Sequence, residues 1–139
     1  IIIHPGNYPA LRARSEDGKY PTNSVNWVDD PYAGAAVYLR PDDTVEKIIE
    51  KPPQGTSTTN WNNAGVYVYP PFLFDYLERI EKSPRGEYEL SNVLRLMIED
   101  GLEVRSHRIF GYWRDIGRPE DLEAINALLE QEAEKQQLS

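Results

Sequence analysis

A carboxylate and an ammonium group stand side by side at Glu50 and Lys51, directly before the prolines Pro52 and Pro53. A lysine can act as a point charge for a phosphate group, and a glutamate can accept hydrogen bonds from the hydroxyl groups of a sugar. We expect a strand to end here, and ligands of open α/β sheets bind at the carboxyl ends of strands. The same residues are also compatible with a solvated ion pair before a turn.

Small residues open a second segment of interest, Asn62-Asn63-Ala64-Gly65. Glycine within a strand often marks a place where a ligand approaches the backbone closely, and the amide group of Asn63 offers a donor and an acceptor to a sugar. A bulge or tight packing explains the same residues. The segment is therefore a candidate for lining a sugar, with a structural role as the alternative.

An aromatic residue and a carboxylate lie two positions apart at Trp113 and Asp115, between Gly111 and Gly117. In an extended chain both side chains point to the same side. A carboxylate at a strand end suits Mg²⁺, which combines a few carboxylates with the phosphates of its substrate. The alternative is an aspartate that hydrogen-bonds its own turn, with Trp113 in the hydrophobic core.

A third charged segment places Arg85 close to two glutamates, Glu87 and Glu89. The arginine is a candidate for contacting a phosphate, and the glutamates are candidates for a paired carboxylate site. The alternatives are a surface arginine and two glutamates that favour the N-terminus of the following helix.

Three helices are expected to position these residues in the second half of the chain. Apolar residues at helical spacing predict a helix over Phe72–Lys82, and the next helix is expected to be capped by Ser91 and closed by Gly101. Pro119 occupies the first turn of a last helix, which gives way to a polar tail over residues 130–139. The predicted apolar stripe of this last helix consists of Leu122, Ile125, Leu128 and Leu129.

Strands and helices alternate along the chain, which predicts an α/β sandwich with a mixed sheet. Turn residues between two of the strands, Ala35–Leu39 and Thr44–Lys51, predict a hairpin. The remaining predicted elements are a helix near Pro9–Arg14, strands at Ser24–Val28, Asn63–Tyr69 and Val104–Phe110, and a loop over Pro52–Asn60.

The composition excludes several classes of site and partner. A formal charge of −8 argues against nucleic acid, because binding its backbone needs clustered Lys and Arg. The chain has no cysteine, so disulfides, thiolate metal sites and a cysteine nucleophile are excluded. No apolar run approaches the length of a membrane span, and a soluble cytoplasmic protein is the default expectation. His4 and His107 have no partner at metal-ligand spacing, and we expect both to be structural.

Four motifs, taken in order, carry a resemblance to a known family. They are E-K-P from Glu50, N-A-G-V-Y-V-Y from Asn63, R-G-E-Y-E-L from Arg85, and G-Y-W-R-D-I-G-R-P-E-D-L from Gly111. Their succession resembles the sugar-1-phosphate nucleotidyltransferases, among them the glucose-1-phosphate thymidylyltransferases and the UTP–glucose-1-phosphate uridylyltransferases. The match runs from about Asp29 to Asn126, which is most of the chain.

The resemblance implies a Rossmann-like α/β fold with a mixed central sheet and flanking helices. It also implies a reaction in which a phosphate oxygen of a sugar 1-phosphate attacks the α-phosphate of a nucleoside triphosphate, dTTP or UTP, and pyrophosphate leaves. Mg²⁺ and cationic side chains offset the charge on the phosphates, and positioning carries most of the catalysis.

The resemblance also assigns roles to individual residues. Glu50 matches the family residue that bonds sugar hydroxyl groups, and Lys51 matches the one that contacts the sugar phosphate. Asp115 matches a metal-binding aspartate with an aromatic residue, Trp113, beside it, so that Lys51 and Asp115 are the expected catalytic residues. Arg85 is similar to an arginine that reaches the phosphates. The family segment that lines the sugar matches Asn63, Ala64 and Gly65.

The chain departs from the family at its start. The glycine-rich activating loop that holds the triphosphate is absent from the sequence, and Ile1-Ile2-Ile3-His4-Pro5 resembles the region just after another metal-binding aspartate. We therefore expect residues 1–139 to form a single partial domain, the sugar-binding half of a catalytic domain, inactive alone. Its open first strand favours pairing, with a missing N-terminal half or in a homo-oligomer. A sugar-phosphate-binding module, a half-enzyme subunit without catalysis of its own and a non-catalytic α/β domain are the alternatives.

Overall fold

The computed structural model describes residues 1–138, which form seven strands, four α-helices and a short 3₁₀ turn at Pro31–Ala33. The strands are β1 (Ile2–Ile3), β2 (Thr22–Trp27), β3 (Ala35–Leu39), β4 (Val45–Glu50), β5 (Trp61–Val68), β6 (Arg105–Arg108) and β7 (Trp113–Arg114). The helices are α1 (Asn7–Arg14), α2 (Leu73–Leu77), α3 (Leu90–Glu99) and α4 (Pro119–Gln137).

Five of the strands form one mixed sheet in the order β4-β3-β5-β2-β6. Strand β2 runs antiparallel to β5 and parallel to β6, and β3 and β4 form the predicted hairpin. In the hairpin turn, the Asp42 carboxylate accepts hydrogen bonds from the amide and the hydroxyl group of Thr44. The two ends of the sheet meet where Thr44 bridges Arg105. The predictions of a mixed sheet and of the hairpin are confirmed.

A separate two-stranded ladder joins the first residues to the segment that carries Asp115. Strand β1 pairs antiparallel with β7, so that Ile2 lies opposite Arg114 and Ile3 lies opposite Trp113. Ile3 is buried, whereas Ile1 remains exposed. The first strand is therefore paired within the chain along one of its edges.

The hydrophobic core lies between the main sheet and α3. The apolar face of α3 buries Val93, Leu94 and Met97, which recur at helical spacing. They pack with the buried residues Val25, Ala35, Val37, Val45, Ile48, Tyr76 and Val104. Because Ile48 belongs to this core, the residues that follow it at the end of β4, Glu50 and Lys51, are held near the start of α3.

Helix α2 is much shorter than the sequence predicted. It ends at Leu77 rather than at Lys82, and the Arg79 amide bonds the Tyr76 carbonyl in a tighter turn. The reason is tertiary, because the Arg79 guanidinium and the Tyr76 hydroxyl group both bind the Asp100 carboxylate at the end of α3. The chain then leaves the helix and becomes one wall of a cavity.

The predicted cap of α3 is also wrong. The helix begins at Leu90 after an extended Glu89, so that Ser91 lies in the first turn. Its hydroxyl group donates a hydrogen bond to the Glu50 carboxylate instead of capping the helix. The other end agrees with the prediction, since Gly101 follows the helix with φ of 81°.

Helix α4 starts at Pro119 as predicted and continues to Gln137, through most of the segment predicted to be a polar tail. The Asp121 carboxylate accepts hydrogen bonds from the amides of Gly117 and Arg118, which satisfies groups at the start of the helix. Residues of high helix propensity fill the last turns. Of the predicted stripe only Ile125 is fully buried. No helix within residues 1–138 is long and apolar enough to cross a membrane.

Candidate functional site

A cavity of about 780 Å³ lies where β4 ends, between the strand and the segment that joins α2 to α3. Its walls include Glu50 and Lys51 from the strand end, Arg85 from the connecting segment, and Ser91 from α3. Three of the residues predicted from the sequence thus meet at one place. The fourth residue, Ser91, was predicted to be a helix cap, and no local pattern in the sequence indicates its contact with Glu50.

Glu50 is held in place although it retains contact with solvent. The Ser91 hydroxyl group donates to Oε2 of Glu50 at 3.1 Å. Partial burial raises the pKa of the Glu50 carboxyl group; the Ser91 hydrogen bond acts against this shift, and the nearby charge of Glu89 adds to it. The carboxylate is therefore oriented and partly desolvated, as suits a group that accepts hydrogen bonds from a polar ligand.

Lys51 has a different environment from its neighbour. Its backbone has φ of 41°, a conformation uncommon for a residue other than glycine, and its amide donates to the Gly34 carbonyl at 2.7 Å. The side chain is exposed and forms no ion pair with a carboxylate of residues 1–138. Its ammonium group is thus free to meet an anion at the mouth of the cavity.

Arg85 is already paired within the protein. Its guanidinium donates to the Glu89 carboxylate at 2.6 Å and lies 3.5 Å from that of Glu87. The hydrogen bond to Glu89 is the main cause that raises the pKa of Arg85. The two glutamates therefore serve the arginine rather than forming a carboxylate site of their own. A phosphate that binds Arg85 competes with these two carboxylates.

The segment Asn63-Ala64-Gly65 forms a bulge in β5. Where β5 pairs with β2, Tyr67 lies opposite Asn23 and Asn63 lies opposite Val25, so the register of the two strands shifts between these two pairs. Gly65 is exposed with φ of 82°, a backbone conformation that favours glycine. The bulge that the sequence left open as an alternative is thus present, and it exposes the backbone at Gly65 while Ala64 is fully buried.

The side chain of Asn63 is used inside this bulge. Its amide group donates to the Tyr67 hydroxyl oxygen at 2.7 Å, and its oxygen accepts from the Gly65 amide at 3.4 Å. Burial raises the pKa of Tyr67, and the charge of Glu50 raises it further. Tyr67 therefore lies near enough to Glu50 to be affected by its charge. Sequence analysis did not identify Tyr67 as a site residue. Its only signal in the sequence is its position two residues after Gly65, which places both residues on the same face of an alternating strand.

Trp113 brings the segment of β7 against the bulge. Its indole N–H donates to the Ala64 carbonyl at 2.9 Å, and its ring is partly buried. Asp115 follows just after the end of β7 and is exposed. Within residues 1–138, no group of three or more His, Cys, Asp or Glu side chains is arranged to hold a metal ion. Asp115 fits one ligand of a magnesium ion whose other ligands are phosphates and water.

The predicted site residues therefore fall into two adjacent groups. Glu50, Lys51 and Arg85 line the cavity. The bulge and Trp113 lie next to one another. The two histidines are bonded or packed within the protein: the His107 ring pairs with the Asn7 side chain at 2.9 Å, and His4 packs on Phe110.

Comparison with known proteins places these residues in a family context. The model of the nucleotidyl transferase family matches residues 11–132. The low-salt glycan biosynthesis nucleotidyltransferase Agl11 of Haloferax volcanii is 40% identical over 85 residues, 61% of this chain and 23% of that protein. The bifunctional protein GlmU of Methanocaldococcus jannaschii is 34% identical over 106 residues, 76% of this chain and 25% of that protein.

Solved structures share the fold. An apo UDP-glucose pyrophosphorylase matches with a TM-score of 0.78 and 18% identity, over 93% of this chain and 50% of that one. A protein of Bacillus anthracis described as a glucose-1-phosphate thymidylyltransferase matches with a TM-score of 0.72 and 23% identity, over 91% and 50%. The predicted Rossmann-like fold is confirmed. The chain spans about half the length of these structures and about a quarter of the curated relatives. The chain belongs to the nucleotidyl transferase family.

Proposed function

We propose that this chain provides the sugar-phosphate side of an enzyme that transfers a nucleotidyl group from a nucleoside triphosphate to a sugar 1-phosphate. The observation that carries the proposal is the meeting of Glu50, Lys51 and Arg85 at one cavity. The family match supports the class of reaction. Structural neighbours named for thymidylyl transfer and for UDP-glucose support dTTP and UTP as the nucleotides.

The phosphate group of the sugar is assigned to two of the cations that line the cavity, Lys51 and Arg85. Lys51 has an unpaired, exposed ammonium group at the cavity, and Arg85 brings a planar guanidinium from the opposite wall. A phosphate dianion supplies more charge to Arg85 than either glutamate alone, and arginine binds phosphates in a bidentate manner. Binding is therefore accompanied by a rearrangement of the Arg85 contacts with Glu87 and Glu89.

The sugar ring is assigned to Glu50 and to the bulge. The oriented Glu50 carboxylate accepts hydrogen bonds from hydroxyl groups. Ala64 is fully buried, so the backbone that a ring can approach closely is that of Gly65, which is exposed and lies beside the Ile1 side chain. Because Asn63 already bonds Tyr67 and Gly65, its role is to shape the bulge, with its remaining acceptor capacity left for the sugar.

Asp115 is assigned to Mg²⁺. It is an exposed carboxylate two residues after Trp113, whose indole bonds the bulge at Ala64. When bound, the metal supplies charge neutralisation at the phosphates. One carboxylate with phosphate and water ligands is a normal protein contribution to a magnesium site.

The reaction needs positioning more than acid–base chemistry. An oxygen of the sugar phosphate forms a bond to the α-phosphorus of the triphosphate, and the bond to the pyrophosphate oxygen breaks. This chain's residues hold the attacking phosphate and its sugar, which converts an encounter of two molecules into a reaction within one complex. Lys51 also offsets negative charge at the attacking group.

Lys51→Ala tests the phosphate assignment. Calorimetric titration of the 139-residue chain with glucose 1-phosphate should show affinity weakened about tenfold or more, the effect expected for loss of one charge-assisted contact. Lys47→Ala is the matched control, since the ammonium group of Lys47 packs over the Tyr38 ring, away from the cavity. Equal affinities for both variants would contradict the proposal.

A second candidate is a sugar-phosphate-binding module without catalysis of its own. The sequence favours it in one respect, since it contains no glycine-rich phosphate loop. Pyrophosphate release from dTTP or UTP with glucose 1-phosphate and Mg²⁺ separates the candidates. We expect the chain alone to bind the sugar phosphate without turnover. Turnover by the chain alone would show that it holds the triphosphate as well.

A further inference from the structure

The hydrogen-bond ladder between β2 and β5 is interrupted at the bulge. Asn23 pairs with Tyr67, and the next pair is Val25 with Asn63. The two pairs are thus two residues apart on β2 but four residues apart on β5. The three β5 residues in between therefore have no β2 residue opposite them in the regular pairing. Backbone amide and carbonyl groups in such a place need other partners.

The side chain of Ser24 fills this gap. Its hydroxyl group donates to the Val66 carbonyl at 2.8 Å and accepts from the Val66 amide at 3.1 Å. Ser24 is fully buried, with 0% of its surface exposed. One hydroxyl group thus satisfies both backbone groups of Val66, as a paired strand residue would.

Two further contacts hold the other side of the same bulge. The Trp113 indole bonds the Ala64 carbonyl, and the Asn63 oxygen accepts from the Gly65 amide. These contacts come from residues already assigned to the site. Ser24 belongs to β2, outside every motif that carries the family resemblance, and it does not line the cavity.

We propose that Ser24 is a positioning residue that holds the Ala64–Gly65 backbone so that the exposed Gly65 faces the sugar. The inference rests on the proposed function. If the Val66 groups are released, the bulge can shift along β5, and a shift of one residue exchanges the faces of a strand. Ser24 should therefore affect recognition of the sugar ring and leave the phosphate contacts unchanged.

The decisive quantity is the preference of the chain for glucose 1-phosphate over inorganic phosphate. Calorimetry gives both affinities for the wild type, Ser24→Ala and Ser106→Ala. Ser106 is the matched control, because it is a buried serine of the adjacent strand β6 whose hydroxyl group has no hydrogen-bond partner within residues 1–138. We expect Ser24→Ala to lose about tenfold in this preference with little change for inorganic phosphate, whereas Ser106→Ala keeps the preference.

The exchange rate of the Val66 amide hydrogen measures directly whether the bulge keeps its hydrogen bonds. In Ser24→Ala the Val66 amide should exchange at least about tenfold faster, while amides elsewhere in β5 keep their protection. Ser24→Thr, which retains a hydroxyl group, should restore both the exchange rate and the preference. If Ser24→Ala does not fold, Ser24→Cys serves instead, since a thiol of similar shape weakens both hydrogen bonds.

The outcomes separate the two proposals. A wild type that shows no preference for glucose 1-phosphate overturns the proposed function, and the sugar-positioning role with it. A wild type with the preference and a serine-24 variant that keeps it overturn the role of Ser24 alone. Equal loss of affinity for both ligands also overturns it, because that result indicates general destabilisation.

Discussion

At the residue scale, neighbouring side chains owe their different tasks to different surroundings. Glu50 is fixed by Ser91 and partly desolvated, whereas Lys51 is exposed and unpaired. The positive φ of Lys51 turns the chain sharply as it leaves β4. Backbone conformations of this kind cost free energy and tend to occur at functional sites. The turn explains how two adjacent residues both reach the cavity.

Asp115→Asn is the residue-scale prediction for the metal. Under the proposed function, we expect a rate of nucleotidyl transfer lower by a factor of about 10², because an electrostatic contribution at the phosphates is lost. The Mg²⁺ concentration for half-maximal rate should also rise. Steady-state kinetics at several Mg²⁺ concentrations measure both. Glu120→Gln, at an exposed glutamate in the first turn of α4, is the control and should leave both values unchanged.

At the element scale, the short helix α2 is tied to the end of α3. The Asp100 carboxylate accepts hydrogen bonds from the Arg79 guanidinium and from the Tyr76 hydroxyl group at 2.7 Å. This contact anchors one end of the segment that carries Arg85. The hydrogen bond from Arg79 is the main cause that lowers the pKa of Asp100 from 3.8 to about 2.

Asp100→Asn tests this anchor through the pH dependence of stability. A lowered folded-state pKa stabilises the fold above the unfolded value, near pH 4, and this contribution is lost as the pH falls toward 2. Thermal unfolding at several pH values should therefore show a smaller loss of stability between pH 4 and pH 2 in the variant. Arg79→Met should give the same result, and the double variant little more. Unchanged slopes in all variants would contradict the assignment.

Ile125→Ala tests the packing of α4. Ile125 is 3% exposed, and we expect a loss of about 2–5 kcal/mol in the free energy of unfolding, the range for removing a buried aliphatic side chain. Leu122 lies one turn earlier and is 51% exposed, so Leu122→Ala should cost within about 0.5 kcal/mol. Urea unfolding of the two variants measures the difference. Similar losses would mean that the helix packs on a different face.

Local patterns predicted the elements whose causes are local. The aspartates of the turn predicted the hairpin. The apolar face of α3 predicted that helix, and the glycine after it predicted where the helix ends. Helix α2 was predicted too long because the contact that ends it joins Arg79 to Asp100, far along the chain. The prediction that Ser91 caps α3 was wrong for a similar reason, because the partner of its hydroxyl group, Glu50, lies on another element.

At the scale of the whole molecule, the site is assembled from three distant parts of the chain. At the end of β4, Ser91 of α3 holds Glu50, and Trp113 joins the segment after β6 to the bulge of β5. The ordered motifs identified most of the residues involved. The geometry of the bulge and the contact of Ser24 with Val66 depend on the register between β2 and β5. This register cannot be predicted from the sequence of either strand alone.

The whole molecule carries a net charge of −8, yet its proposed ligand is an anion. The cavity is locally cationic, because its lining carries five cations and three carboxylates: Lys51, Arg79, Lys82, Arg85 and Arg95 against Glu50, Glu81 and Glu89. Long-range attraction therefore contributes little, and the affinity depends on short-range contacts. The phosphate contacts and the sugar contacts should accordingly each contribute to the affinity.

The indole N–H signals of the three tryptophans test the central claim most directly. In a nuclear magnetic resonance titration of the chain with glucose 1-phosphate, the Trp113 signal should shift, because this indole bonds the Ala64 carbonyl at the proposed sugar site. Trp27 and Trp61, which pack on each other, should shift little. A saturable shift of Trp113 alone is the predicted result. Shifts confined to Trp27 and Trp61, or none at high ligand concentration, would contradict the account.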